Sequence, residues 1–479
     1  MNESVSDRLS SVATNSSASS SLITLEPPIE RGRFPMGCAS EFQKEPLNLY
    51  LRVMHEKGDF VKVRYGPMHA YHMTHPDYIK RVFVDNNQNY QREKRGLVLL
   101  KLITGENLVT AEGEAWLKQR RLLQPVFHRR RIDGFASIMT DAATQMLDRW
   151  DNLPADQPID VDQEIQDLTF TIAGLTLFGV DLSDKSSDMG YLMTVSNEFF
   201  TYRAVNFFAP PLWVPTRQNR KFKDAQQRLA HLGPQMVKER RLEVAENGTA
   251  DESGRRFDMM DLLLEARYED TGAGMSDEQI ITEINTMLGA GHETTSNSLS
   301  WTLYLLSQHP DVEAKLQQEV DSVLGGRVPT VEDLTELVYT KMVLSESMRL
   351  YPASWITTRQ SVEADQFGPY DLPADSAVLM SRHAIHRHPD FWNDPERFDP
   401  ERFAPEKEKE IHRFAFFPFS RGPRQCIGES FAMMEGRLLL AMIMQRYRLT
   451  LIPGHVVEPY PSITLRMKYG LRMILEKRG

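Results

Sequence analysis

One cysteine decides most of what this 479-residue chain can become. Cys426 stands in the run FSRGPRQCIG (419–428), a Gly- and Arg-rich loop leading straight into an apolar helical stretch through Glu429, Phe431, Met433 and Met434. A thiolate there sits near the amide groups that open the helix, and such amides lower a cysteine pKa. That setting suits a metal ligand. Gly422 and Gly428 lack a Cβ and can let the backbone pass close to a flat cofactor, while Arg424 is placed to meet an anionic group on it. Phe419 is expected to pack against the sulfur and keep water away. The other cysteine, Cys38, lies far off in FPMGCAS, so two cysteines in so long a chain argue against a disulfide framework and favour a reducing compartment.

With 41% hydrophobic residues the chain can bury a large core, and its net charge of -10 argues against nucleic-acid binding. Residues 1–22 are Ser-, Ala- and Asn-rich, without the roughly 20 apolar residues of a spanning helix, and read as a disordered tail before one domain over 23–479. FVKVRYG and PMHAYHMTH alternate as two strands turned at Gly66-Pro67. The middle of the chain is helical by periodicity, with breaks at Ser183, Ser276 and Pro310. From Val378 to the Cys426 loop, short strands are expected between prolines and aromatics. A long helix then runs to about Tyr447, and PSITLRMKYGLRMIL (461–475) reads as a closing β-hairpin.

Two further groupings carry chemistry. AGHETT (290–295) lies inside an apolar helical stretch from about Asp277 to Gln308, where Glu293 and Thr294 are costly to bury unless they have work to do. An alcohol and a carboxylate linked by water form a proton relay. ESMR (346–349) places Glu346 and Arg349 on one helix face, which alone is a salt bridge of about 0.3 kcal/mol.

The cysteine loop fills every defined position of Phe-x-x-Gly-x-Arg-x-Cys-x-Gly, and with AGHETT, ESMR and NDPERFDPERF (393–403) the chain resembles the cytochrome P450 family over about residues 30–475. The resemblance implies a mainly α fold with a smaller β-rich lobe and haem b held between the distal helix and the cysteine loop. Cys426 would be the axial ligand of the haem iron, with Phe419, Arg424 and Gly428 around it. Trp116 and Arg120 match the family's Trp-x-x-x-Arg motif, and Arg359, ten residues after Arg349, stands where many relatives bind a propionate. Thr294 and Glu293 would deliver protons. Glu346 and Arg349 would lock the core with an arginine of the PERF repeat, Arg402 being favoured by its distance upstream of the cysteine and Arg397 the alternative.

The implied activity is insertion of one oxygen atom from O2 into a lipophilic substrate, with electrons from a separate ferredoxin or flavodoxin and its NAD(P)H reductase. The basic run of Lys118, Arg121, Arg129, Arg130 and Arg131 is where such a donor would dock. Without a transmembrane anchor, a cytoplasmic location is expected. By the resemblance, Met287, Ala290, Ser354, Ile356 and Ile463 line the substrate pocket, and Phe199, Phe200, Phe207 and Phe208 fall near its entrance. A long-chain fatty acid is the first substrate expected, with a terpenoid, carotenoid or secondary metabolite as the alternative. A donor-independent haem isomerase or a haem sensor would not need Glu293 and Thr294.

Overall fold

The computed structural model describes residues 25–154, 156–206, 209–248, 257–268 and 272–478. The Ser-rich tail, Phe207 and Phe208 therefore lie outside the described residues. The helices that build the site are α1 (Gly113–Leu123), α2 (Ala136–Asp151), α3 (Val161–Phe178), α4 (Ser186–Val205), α5 (Arg217–Leu229), α6 (Asp277–Gln308), α7 (Val338–Leu350) and α8 (Glu429–Arg446).

The longest of them, α6, begins where the sequence signals it. Ser276 Oγ accepts from Gln279 N (3.2 Å), and Gln279 Oε1 accepts from Ser276 N (3.0 Å), a reciprocal cap that satisfies two otherwise orphaned donors. Its 32 residues extend about 48 Å, and it packs along α3 while also touching α7 and α8. The main core, including Trp301, Leu299, Phe170 and Leu439, fills the space between these helices.

The sheets join distant parts of the chain. Strands β1 (Ile29–Glu30), β2 (Phe60–Tyr65), β3 (Met68–Met73), β4 (Tyr90–Gln91), β6 (Ile356–Ser361) and β9 (Ala377–Ser381) form one sheet in the order β1-β2-β3-β9-β6-β4. β2 and β3 pair antiparallel with Phe60 opposite Met73, as the alternation predicts, and β3 runs parallel to β9 with Tyr71 opposite Val378. Strands β7 (Asp365–Phe367) and β8 (Tyr370–Leu372) make a small separate hairpin.

Two expectations fail in the C-terminal part. Among the described residues no strand lies between Ser381 and Tyr447; short helical turns and loops fill that stretch, where the His386 carbonyl accepts from Arg349 (2.9 Å) and Arg387 donates to Leu350 O (2.7 Å) instead of pairing with a neighbouring strand. Nor does 461–475 close on itself. Strand β12 (Leu465–Met467) pairs with β11 (Pro459–Pro461), whereas β13 (Arg472–Lys477) lies between β10 (Tyr447–Leu451) and β5 (Ile159–Asp160). Gly470, at φ +68°, turns the chain away from β12 directly over the Asp160 carboxylate, which accepts from Leu471 N at 3.0 Å. A Cβ at 470 would run into that carboxylate, so the turn is built for a long-range partner and not for a local hairpin.

Candidate active site

The cysteine loop is held from both ends. Cys426 N donates to Phe419 O (2.9 Å), Gln425 N donates to Gly422 O (3.0 Å), and Gly428 is the residue from which α8 begins. Gly422 adopts φ +76°, and a Cβ there would meet the Phe83 carbonyl, so its close approach is to the protein's own backbone and not only to a cofactor. The Cys426 side chain is accessible although the loop lies deep among its neighbours. Burial pushes its thiol above the ordinary cysteine range. The Gly428 amide pulls it back, Glu429 raises it further, and Arg120 and Arg382 lower it. A cation bound at the sulfur would favour its ionised form.

Around this loop the structure gathers arginines. Arg120 Nη1 donates to Gln425 O (3.1 Å), and Arg424 donates to Ala111 O (3.0 Å) with its guanidinium 4.5 Å from the Trp116 ring centre. Arg359 is buried in β6 and donates to Thr358 O (2.8 Å). Two more arginines, missed in the sequence, join them. Arg92, following β4, is half-buried, and Arg382, following β9, donates to Phe417 O (3.1 Å), Ser354 O (2.8 Å) and Ser354 Oγ (3.0 Å). Arg92 sits in YQREKRG, which looks like a solvated charge run; Arg382 breaks the apolar run AVLMS, and that interruption was the available signal.

The carboxylate that pairs with this group is Glu112, 3.4 Å from Arg92 and 3.0 Å from Arg424. Glu112 thus meets Arg92 and Arg424 and attracts Arg359, so these three guanidinium groups share one acid, with Arg382 beside them. Burial brings Arg359 down to about 9, with Arg92, Arg424 and Arg382 repelling it further. Burial likewise brings Arg92 and Arg382 down to about 10. Arg92 Nε and Arg424 Nη1 are buried without a hydrogen-bond partner. Buried cations with open donors call for an anionic ligand carrying more than one oxygen pair. The two propionates of haem fit this donor set.

The middle of α6 forms the opposing wall. Most of that helix is buried, yet Ala290, Gly291, Thr294 and Ser298 form a more accessible stripe one turn apart. Thr294 Oγ1 donates to Ala290 O (2.8 Å). Glu293 points elsewhere and is 5% exposed; its Oε1 accepts from Asn197 Nδ2 (2.9 Å) and Thr464 Oγ1 (2.7 Å), with Arg466 Nε 3.7 Å away. Below the stripe, Glu435 of α8 is wholly buried; burial pushes its carboxyl well above the usual range and the Thr295 hydroxyl draws it partly back.

A cavity of about 630 Å³ opens between the large sheet, α4 and the β11–β12 turn. Ser354, Ile356 and Ile463 line it, with Phe200, Trp355 and Leu100, whereas Ala290, on the accessible stripe of α6, does not. Met287 does not line this cavity but packs in the main core, because its position on α6 faces the neighbouring helices. Phe199 is fully buried and stacks on Phe222 of α5 at 4.0 Å, a packing role.

Glu346 and Arg349 are both fully buried and joined by two hydrogen bonds, at 2.7 and 2.8 Å. Arg402 Nε reaches Glu346 Oε1 at 3.3 Å. Arg397 contributes only its carbonyl, to Arg349 Nη2 (3.1 Å).

The exposed face beside the cysteine loop is basic. Arg121, His128, Arg130 and Arg131 surround a surface concavity of about 540 Å³, and the adjoining Phe127 lies against Gly428. No helix among the described residues is long and apolar enough to cross a membrane.

A helix-rich protein that presents one accessible cysteine at a helix start, opposite a long helix and beside clustered buried arginines, is built as a haem-thiolate protein. The family model described as Cytochrome P450 matches residues 27–470, and the chain belongs to the cytochrome P450 family of haem b monooxygenases. It is 35% identical over 449 residues to Cyclooctatin synthase of Streptomyces melanosporofaciens, covering 93% of this chain and 95% of that protein. It is 33% identical over 422 residues to Cyclooctat-9-en-7-ol 5-monooxygenase of the same organism, covering 88% of each. Pentalenene oxygenase of Streptomyces avermitilis is 29% identical over 447 residues, covering 92% of this chain and 95% of that protein. As a P450 monooxygenase the chain takes a lipophilic substrate and needs a redox partner.

Proposed function

We propose that this P450 oxygenates a terpenoid. The observation that carries the reading is the cavity of about 630 Å³ with its largely apolar wall, in the range of about 300–1,000 Å³ typical of small-molecule sites. Relatives named for cyclooctatin and pentalenene chemistry support a terpenoid over the long-chain fatty acid that the sequence motifs first suggest.

Cys426 would be the axial ligand of the iron, and Arg92, Arg359, Arg382 and Arg424 would hold the propionates, with Arg120 bracing the loop through Gln425 and Trp116 stacking on Arg424. The haem, when bound, supplies binding and reductive activation of dioxygen. The chain's own residues do the rest. Donation from Thr294 to Ala290 O fixes the hydroxyl proton, so its oxygen lone pairs face the accessible stripe and can accept from water. Glu293, next in sequence but turned from the stripe toward Asn197 and Thr464, would pass protons to it through water. Ala290 and Gly291 leave room beside Thr294, and the apolar wall excludes water from the substrate side. The basic concavity would receive an acidic face of a ferredoxin or flavodoxin.

The test is a visible-spectrum titration of the ferric protein with geranylgeraniol, a sesquiterpene alcohol, a carotenoid and palmitate. A saturable shift of the Soret band to shorter wavelength with an isoprenoid alcohol, and none with palmitate, is expected. Saturation by palmitate alone would overturn the substrate class.

A further inference from the structure

Glu293 does not stand free at the relay; it is clasped. We infer that Asn197 is a positioning residue that makes the geometry of Glu293 depend on the seating of α4 over the substrate cavity. This rests on the relay role proposed for Glu293.

Asn197 is 1% exposed and uses all of its amide. Nδ2 donates to Glu293 Oε1 and to Met193 O, both at 2.9 Å, while Oδ1 accepts from Ser462 Oγ (2.8 Å) and Ile463 N (3.1 Å). One side chain thus joins α4, α6 and the β11–β12 turn. A second link runs beside it: Arg466, 3.7 Å from Glu293 Oε1, donates to Thr194 Oγ1 of α4 at 3.0 Å. On one side of the clasp Phe200, Thr201 and Ala204 of α4 line the cavity; on the other, Ser462 and Ile463 do. Whatever fills the cavity presses on the two walls that the Asn197 amide holds together.

The consequence is a linkage. A displacement of α4 by more than about 1 Å stretches the bond from Asn197 beyond hydrogen-bonding range and leaves Thr464 as the hydroxyl anchor of Oε1. Conversely, the bond to Glu293 helps to hold α4 down, and the coupling is reciprocal. The charged neighbour facing Glu293 is Arg466, which also acts on His292 and Asp162; α4 presents the neutral Asn197, and Asn297 of α6 bonds Thr464 at 3.3 Å.

The experiment is a double-mutant cycle on the haem-loaded full chain, with Asn197→Ala, Glu293→Gln and the double variant. Two readouts are taken without substrate: hydrogen exchange over residues 193–204, and peroxide released per NAD(P)H consumed with a surrogate ferredoxin and reductase across pH 6–9. Asn197→Ala is expected to speed α4 exchange about fivefold or more and Glu293→Gln less, since a glutamine oxygen still accepts from Asn197, with the double variant no faster than Asn197→Ala. Asn197→Ala is also expected to move the peroxide fraction and its pH profile toward those of Glu293→Gln. Additive exchange effects, or loosened α4 with a wild-type peroxide profile, would overturn the inference and leave Asn197 a packing residue. A wild-type peroxide profile in Glu293→Gln would instead remove the relay reading itself. Ser462→Ala, which drops one bond on Asn197 Oδ1, should give a smaller change of the same sign and serves if Asn197→Ala does not fold.

Discussion

Replacing Arg359 by methionine should stabilise the haem-free protein and loosen the haem, two effects of opposite sign from one side chain. Arg359 is buried in β6 among Arg92, Arg382 and Arg424, and burial with their repulsion brings its guanidinium down to about 9. A depression of that size disfavours the charged form by about 5 kcal/mol. Because the folded value lies below the unfolded one, the cost is full at neutral pH, where both states are charged. Methionine keeps the apolar stem against Phe83, whose ring centre lies 5.3 Å from the guanidinium, and removes the charge. Relaxation and water entry reduce the gain, so the apoprotein should become more stable by about 1–3 kcal/mol in urea unfolding at pH 7. The same change removes a charge-assisted hydrogen bond to a propionate, worth about 1.5–3 kcal/mol, so haem transfer to apomyoglobin should accelerate about 10- to 150-fold. An apoprotein that loses stability, or haem released at the wild-type rate, would refute the reading of this arginine cluster as an anion site.

Cys426→Ala should abolish the red-shifted Soret band of the reduced carbonyl complex; a band that survives would remove Cys426 as the ligand. Thr294→Ala should change stability by less than about 1 kcal/mol, since its bond is intrahelical and alanine favours the helix, while NAD(P)H consumption continues with peroxide in place of product. Glu346→Gln leaves the Arg349 guanidinium buried beside a neutral amide and should cost about 3–5 kcal/mol, whereas Arg397→Ala, an exposed side chain, should stay within about 0.5 kcal/mol in thermal unfolding.

What the sequence by itself determined was local. The cap at Ser276 and the 3.6-residue period of the stretch after it set the bounds of α6, and Gly428 marked the start of α8, because these depend on neighbours within a turn or two. The Cys426 loop and the Glu346–Arg349 spacing were legible for the same reason. Tertiary structure decided which distant groups share a space. Arg92 and Arg382 are 290 positions apart and look like ordinary charges until β4, β6 and β9 join one sheet and bury them beside Arg359. Strand β13 leaves its apparent partner because Asp160, more than 300 positions away, receives the turn at Gly470. Asn197 lies on an ordinary helical stretch, and only the approach of the β11–β12 turn makes it the partner of Glu293. Periodicity and caps report free energies fixed within a few residues of chain, whereas electrostatic repulsion, strand partners and buried amide bonds depend on the through-space distances that folding alone sets.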